Sequence, residues 1–388
     1  MAGVLSVGVV LAVTATGCGV LPGGGGDDGA GGAGPISGLL ADIPDTAGNR
    51  QQLQVTDHAG LARAVGVEWP LGDDADGTDA FSQALLAGGE VLVPSTLLEQ
   101  LQAADDWRRE LGFGAGDVTA AAETGVPPSV LSVFRTTAEP SAIADAVTAD
   151  GTWSADLRTA ERNGAAVYSW GSDPQAVNTD RTSPVRRLGQ GGVLAVDGKG
   201  VVLWSTDPAA VDAGLDLGSG GEGSGSLADN DTFAALARVL DDQGCYQAIL
   251  SDRAPVLDPL NMLGPRADPA IIERLRATLD AGPALPPYRA LGIGNAIDGD
   301  TGQGYVVFAF ATGSDGEAQA VADAFPLVVA EGTSATTNQP WSDLMTVRRA
   351  TTEGAVAVVT VDTERLSVGL EAYQRLDTLL ATRVGGAG

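Results

Sequence analysis

Ala142-Ile143-Ala144-Asp145-Ala146-Val147 and Ala320-Val321-Ala322-Asp323-Ala324-Phe325 are one phrase written twice. In each copy two larger apolar side chains stand four residues apart, Ile143 with Val147 and Val321 with Phe325, which is the spacing of neighbours on one helix face. Outward from this pair the agreement continues at a nearly constant offset. Leu97-Leu98-Glu99-Gln100-Leu101 answers Ile271-Ile272-Glu273-Arg274-Leu275 upstream, and a strand over residues 130–136 with Phe134 answers one over residues 305–312 with Phe310. Downstream, Asn163-Gly164 and Glu353-Gly354 are hairpin turns leading into apolar strands over residues 165–170 and 355–361. Closing helices correspond as well, with Asp207, Gly214 and Leu215 against Asp362, Gly369 and Leu370. A fixed-offset repeat of this length predicts two homologous halves, residues 45–217 and 227–384, joined by a Gly/Ser linker at residues 218–226. Each half reads as strand, helix, hairpin, helix, hairpin, helix. The expected fold is therefore α+β, each half a mostly antiparallel sheet with helices on one face.

The first half carries an extra polar segment, residues 171–192, followed by a hairpin turning at Asp197-Gly198. Three arginines, Arg181, Arg186 and Arg187, stand on this long loop of an otherwise acidic chain, which makes it the candidate interaction surface. Thr56-Asp57 and Ser251-Asp252 each end a strand before a helical segment, the place where such side chains accept the free amides of a first turn.

Ahead of both halves, residues 4–13 form an uncharged apolar run that ends just before Ala15-Thr16-Gly17-Cys18. A stretch of roughly 10 apolar residues is the length of a signal-peptide core and about half of what a spanning helix needs. These residues resemble a bacterial lipoprotein signal. The resemblance implies a signal peptide over residues 1–17, cleavage before Cys18, and acylation of Cys18 as a membrane anchor on the outer face of the cell membrane. An uncleaved anchor helix and a buried N-terminal strand are the competing readings. Residues 18–35, mostly Gly with Ala and Asp, read as a flexible tether with a random-coil reach of about 20 to 25 Å.

Fifty acidic against 22 basic residues give a net charge of −28, and Lys199 is the single lysine. That field repels phosphate backbones, so nucleic acid is not an expected partner. With Cys18 acylated, Cys245 has no partner for a disulfide, and its place in an apolar strand predicts a buried, inert thiol. His58 is the only histidine, which rules out zinc sites built on several histidines and confines any Ser-His-Asp triad to one residue. A surface or capping role is expected for it. Gly-x-Ser-x-Gly, a phosphate loop ending in Gly-Lys-Ser/Thr and a full dinucleotide fingerprint are all absent, Gly292-Ile293-Gly294 lacking the third glycine. Asp73, Asp74, Asp76 and Asp79, and separately Asp298 with Asp300, offer oxygen ligands at loop spacing without completing a calcium loop, so solvated acidic turns are expected. A two-carboxylate glycosidase is disfavoured, because aromatics are 5% of the chain and the six tryptophans are scattered along the sequence from Trp69 to Trp341.

Ser226 through Phe233, with Leu227-Ala228-Asp229 ahead of a helix, resembles uncharacterised secreted or membrane-anchored proteins of actinobacteria. The resemblance implies no activity. The expectation is a non-enzymatic lipoprotein without cofactor or metal, anchored through its lipid and binding or scaffolding an envelope protein partner. The alternative is a solute-binding lipoprotein that holds a small ligand between the halves.

Overall fold

The structure is a computed structural model that describes residues 34–382 apart from 70–74, 89–94, 128, 152–153, 172–175, 187, 218–224, 255–265, 267 and 376. Its centre is a single twelve-stranded sheet. The strands are β1 (Leu53–Asp57), β2 (Val118–Val126), β3 (Ser129–Thr136), β4 (Arg158–Arg162), β5 (Ala165–Trp170), β6 (Gly192–Val196), β7 (Val201–Ser205), β8 (Cys245–Ser251), β9 (Ala290–Ile297), β10 (Gly304–Ala311), β11 (Thr346–Glu353) and β12 (Val356–Asp362). They run in the order β11-β12-β10-β9-β8-β1-β2-β3-β7-β6-β5-β4, and every neighbouring pair is antiparallel.

Strand composition dictates what covers this sheet. Along β10, Val307, Ala309 and Ala311 point to one face while Val306, Phe308 and Phe310 point to the other, and both sets are buried. β8 and β12 are likewise apolar and buried along nearly their whole length. A strand with one wet face alternates apolar and polar residues, whereas these strands need cover on both sides. Twelve α-helices supply it among the described residues. On the first face lie α1 (Pro35–Leu40), α8 (Pro208–Leu215) and α9 (Asp231–Asp242), contributing Ile36, Leu39, Leu40, Val211, Phe233, Leu236 and Leu240. On the second face, α3 (His58–Ala64), α4 (Ala75–Gly88) and α5 (Ser95–Gln102) form a separate cluster with Tyr246 of β8, while α6 (Ala104–Leu111) and α7 (Pro140–Ala149) cover strands of the first segment. α11 (Asp315–Glu331) and α12 (Val368–Gln374) cover those of the second with Val321, Phe325, Val328 and Leu370. The remaining helices are α2 (Ala47–Gln51) and α10 (Pro269–Ala281). Helices on one face, the expected arrangement, are thus replaced by helices on both.

The two repeated helical phrases fall where their spacing puts them, on α7 and α11, with Ile143, Val147, Val321 and Phe325 all buried. The hairpins correspond differently from the expectation. β12 lies beside β10 with β11 outside it, and in the first segment the place beside β3 belongs to β7 with β6 outside it. The β4–β5 hairpin turning at Asn163-Gly164, which the repeat matched to β11–β12, lies at the far edge of the sheet, separated from β3 by β7 and β6. Asn163 and Gly164 have φ of 52° and 80°, as a two-residue turn between antiparallel strands requires.

The segments meet through backbone. β1 pairs with β8 over Leu53↔Leu250 to Thr56↔Gln247. Beneath that pairing a buried chain of side chains runs across three strands: Asn295 Nδ2 donates to Gln247 Oε1 at 3.3 Å, and Gln247 Nε2 to Thr56 Oγ1 at 3.4 Å. α1 crosses the same line to reach α9, where the Ile36 and Ser37 amides donate to the Asp241 carboxylate at 3.0 and 2.9 Å. Ala33–Gly388 accordingly forms one compact unit.

Packing between α9 and the sheet leaves no spare volume at Gly294 of β9, where an added Cβ would lie 2.5 Å from Cys245 Sγ and 2.9 Å from a Leu240 methyl. Overpacking of this kind costs about 1–3 kcal/mol. Gly294→Ala is expected to lower the thermal midpoint, and Cys245→Ala in the same chain to recover part of the loss; differential scanning calorimetry reads both.

Candidate functional site

The three arginines of the long loop have separate fates. Arg187 lies outside the described residues. Arg181 pairs with Asp156 and keeps 30% of its side chain exposed. Arg186 is buried, its side chain 1% exposed, which corrects the expectation that it presents a charge to a partner. Its Nη1 donates to Asp150 at 2.9 Å and to Glu110 at 3.3 Å, and its guanidinium lies 4.7 Å from the Trp170 ring centroid and 5.8 Å from that of Trp204. Ser183 Oγ donates to Glu110 Oε2 at 2.9 Å. The helix α6 brings Glu110, the C-cap of α7 brings Asp150, and β5 and β7 bring the tryptophans. The loop is therefore a strap pinned to the second face by one cation between two carboxylates and two aromatic faces. Val177 and Leu188, at its base, remain exposed, and the Asn178 amide donates to the Leu188 carbonyl at 3.0 Å.

Burial governs the charges here. Desolvation pulls the Arg186 pKa below its ordinary value, against the pull of Asp150 and Glu110. Desolvation also pushes Glu110 above the usual carboxylate range, and the nearby Asp150 adds to it, while Ser183 and Arg186 oppose. A raised carboxyl pKa means that the folded chain holds the proton more tightly than the unfolded one, so this group favours folding increasingly as pH falls toward the ordinary carboxylate range.

His58, expected at the surface, is 1% exposed. Asp57 takes the capping role, accepting from the Ala59 amide at 3.1 Å, and frees the histidine to turn inward. There it meets Trp69 edge-on at 5.4 Å, Trp69 in turn meeting Phe81 at 5.2 Å. Desolvation lowers its pKa to about 4, against the pull of the nearby Ala115 and Val118 backbone, which favours the charged form. The other half of the expected pair, Asp252, accepts from Arg50 Nε at 3.3 Å. Cys245 is fully enclosed and burial pushes its thiol pKa up, which makes the thiolate scarce.

The acidic turns divide. Asp73 and Asp74 lie outside the described residues, and nothing is described of the Asp76 side chain. Asp298 accepts from the Asp300 and Thr301 amides at 3.1 and 3.0 Å and pairs with Arg348 at 3.2 Å, which completes a capped turn. Among the described residues no group of three or more His, Cys, Asp and Glu is arranged to hold a metal ion. Nor is any described helix long and apolar enough to cross a membrane. Cys18, the signal segment and residues 18–33 of the expected tether lie outside the described residues, as does most of the 218–226 linker, while Gly34 and Pro35, expected as the end of the tether, cap and open α1.

One open cleft of about 470 Å³ lies on the first face within the first segment, floored by Ala165, Ala195 and Leu203 and rimmed by Asp42, Asn163 and Lys199. The alternative expectation placed a ligand between the halves, and along that line β1 pairs with β8. Sequence reasoning singled out Arg186 but missed Glu110, Asp150, Trp170 and Trp204, which share no sequence neighbourhood with it. Comparison with protein families, with curated proteins and with solved structures returns no match for this chain.

Two variants separate the opposed pH effects. Glu110→Gln, which removes the buried negative charge while keeping the shape, is expected to raise stability at neutral pH and to abolish the gain seen on acidification; chemical denaturation across pH reads it. His58 contributes oppositely, since a depressed histidine pKa gives stability above about 6.5 that is lost as pH falls through about 4. His58→Phe is expected to flatten that loss. Arg186→Ala leaves two buried carboxylates facing each other and is expected to cost about 3–5 kcal/mol, measured at neutral pH.

Proposed function

We propose that this chain is a lipid-anchored protein of the cell envelope, held outside the cytoplasm through Cys18, that acts by binding or scaffolding a protein partner and not by catalysis. The observation that carries the reading is the closed seam. β1 hydrogen-bonds directly to β8, so among the described residues the segments are joined as one continuous sheet, which favours a contact surface over a ligand clamp. The chemistry points the same way. The single histidine lies beneath Trp69 and the Cys245 thiol is enclosed with a raised pKa, so the side chains best suited to proton transfer or nucleophilic attack meet no solvent.

In this reading the two segments descend from one duplicated unit. Support comes from the strand order, which runs outward from the seam as β1-β2-β3-β7-β6 on one side and β8-β9-β10-β12-β11 on the other. A duplicated unit with an exposed first strand solves its edge problem by pairing that strand with its copy.

The test is made in cells with the full chain. Mass spectrometry of the mature protein is expected to find an acylated Cys18 at the N-terminus. Cys18→Ala is expected to leave the membrane fraction and to lose the crosslinked adducts that the parent chain forms in intact cells. An unmodified Cys18 in membrane-bound protein overturns the anchor, and an absence of adducts from the anchored parent overturns the scaffold role.

A further inference from the structure

The sheet ends in two edge strands, and they differ in what they can pair with. β4 has five residues and β11 has eight. A bulge between Val347 and Arg349 sets Arg348 aside, tied to Asp298 and Asp362 and lying 4.9 Å from the Tyr305 ring centroid. The remainder, Arg349-Ala350-Thr351-Thr352-Glu353, keeps a regular register against β12 on its inner side. Among the described residues no strand lies on its outer side, and no backbone group outside the β11–β12 ladder bonds to it. Arg349 is exposed, and neither it nor Glu353 enters an ion pair within the chain among the described residues.

We infer that β11 is a self-pairing edge, whose occupant is the same strand of a second copy of this chain, running antiparallel about a twofold axis at Thr351. In that register Arg349 stands opposite Glu353 of the second copy, and the symmetry makes the same pair again on the other side. Ala350 stands opposite Thr352, and Thr351 opposite itself. Opposite charges and Thr–Thr pairs directly across antiparallel strands are both favourable, and like charges there are not. An isologous contact of this kind closes as a dimer and does not propagate. β4 lacks the property. Its full-length register sets Arg158 opposite Arg162, and Arg162 is already held by Asp212 and Asp216. A chain of net charge −28 resists indiscriminate self-association, so pairing is confined to an edge that brings its own positive and negative ends together.

The experiment uses the full chain carrying Cys18→Ala, so that acyl chains play no part, in sedimentation equilibrium. A reversible dimer is expected. Arg349→Glu and Glu353→Arg are each expected to weaken it about tenfold or more without changing the melting curve, because each sets like charges opposite in both symmetry-related pairs. Mixing the two variants, or combining them in one chain, is expected to restore pairing. Thr351→Cys is expected to give a disulfide-linked dimer on mild oxidation, since residues directly opposite lie about 4.5–5.5 Å apart between Cα atoms, within disulfide reach; Arg349→Cys is not. A parent chain that stays monomeric at the highest concentration reached, a dimer indifferent to the charge swap, or a monomer that instead captures an acidic extended peptide on this edge would overturn the inference.

Discussion

The hydrogen-bonded pairing of β1 with β8 is the constraint from which the rest of the architecture follows. With these strands joined, the two segments share a single sheet, and neither can rotate against the other without breaking a backbone ladder. The same joining makes β1 and β8 interior strands, and while Gln54 Nε2 of β1 is buried without a hydrogen-bond partner among the described residues, other polar side chains here are satisfied from within. Thr56, Gln247 and Asn295 do this for one another across three strands. An unpaired amide at that depth would cost about 1–3 kcal/mol, so the chain of three is a condition for placing these residues there.

The strap over the second face has a different basis. Arg186 is held by charge and by aromatic faces in a region nearly closed to water, where breaking one partner leaves another charge uncompensated. Burial is what raises the pKa of Glu110, with the nearby Asp150 adding to it, while Ser183, Arg186 and the exposed Arg109 pull the other way. The loop thereby gains a defined position without contributing much apolar area of its own, Val185 being the residue that packs against the core beneath.

Much of the fold was legible in the sequence because it rests on local periodicity. Ile143 with Val147 and Val321 with Phe325 announced two helices with a buried face, and Asn163-Gly164 announced a hairpin whose dihedral angles match. The covering of both faces can be read in the mostly apolar composition of β8, β10 and β12, which the expectation of helices on one face did not use. What escaped was set by tertiary contact alone. His58 was taken for a surface residue because it follows a cap, and Asp57 in fact completes the cap by itself. Glu110 and Asp150 are ordinary helix-end acids until a distant loop lowers an arginine between them. Which hairpin lies beside β3 is likewise a matter of strand order, which sequence spacing between equally good hairpins does not encode.

The crossing of α1 over the seam carries a mechanical consequence. Its first amides are gripped by Asp241, a residue of the other segment, and Arg135 holds its far end through Asp42 and the Gly38 carbonyl. Tension arriving along the backbone ahead of Pro35 would therefore be delivered to the middle of the molecule and divided between both segments. The helix would be loaded in shear, like a rivet through two overlapping plates, and neither outer edge of the sheet would be peeled open.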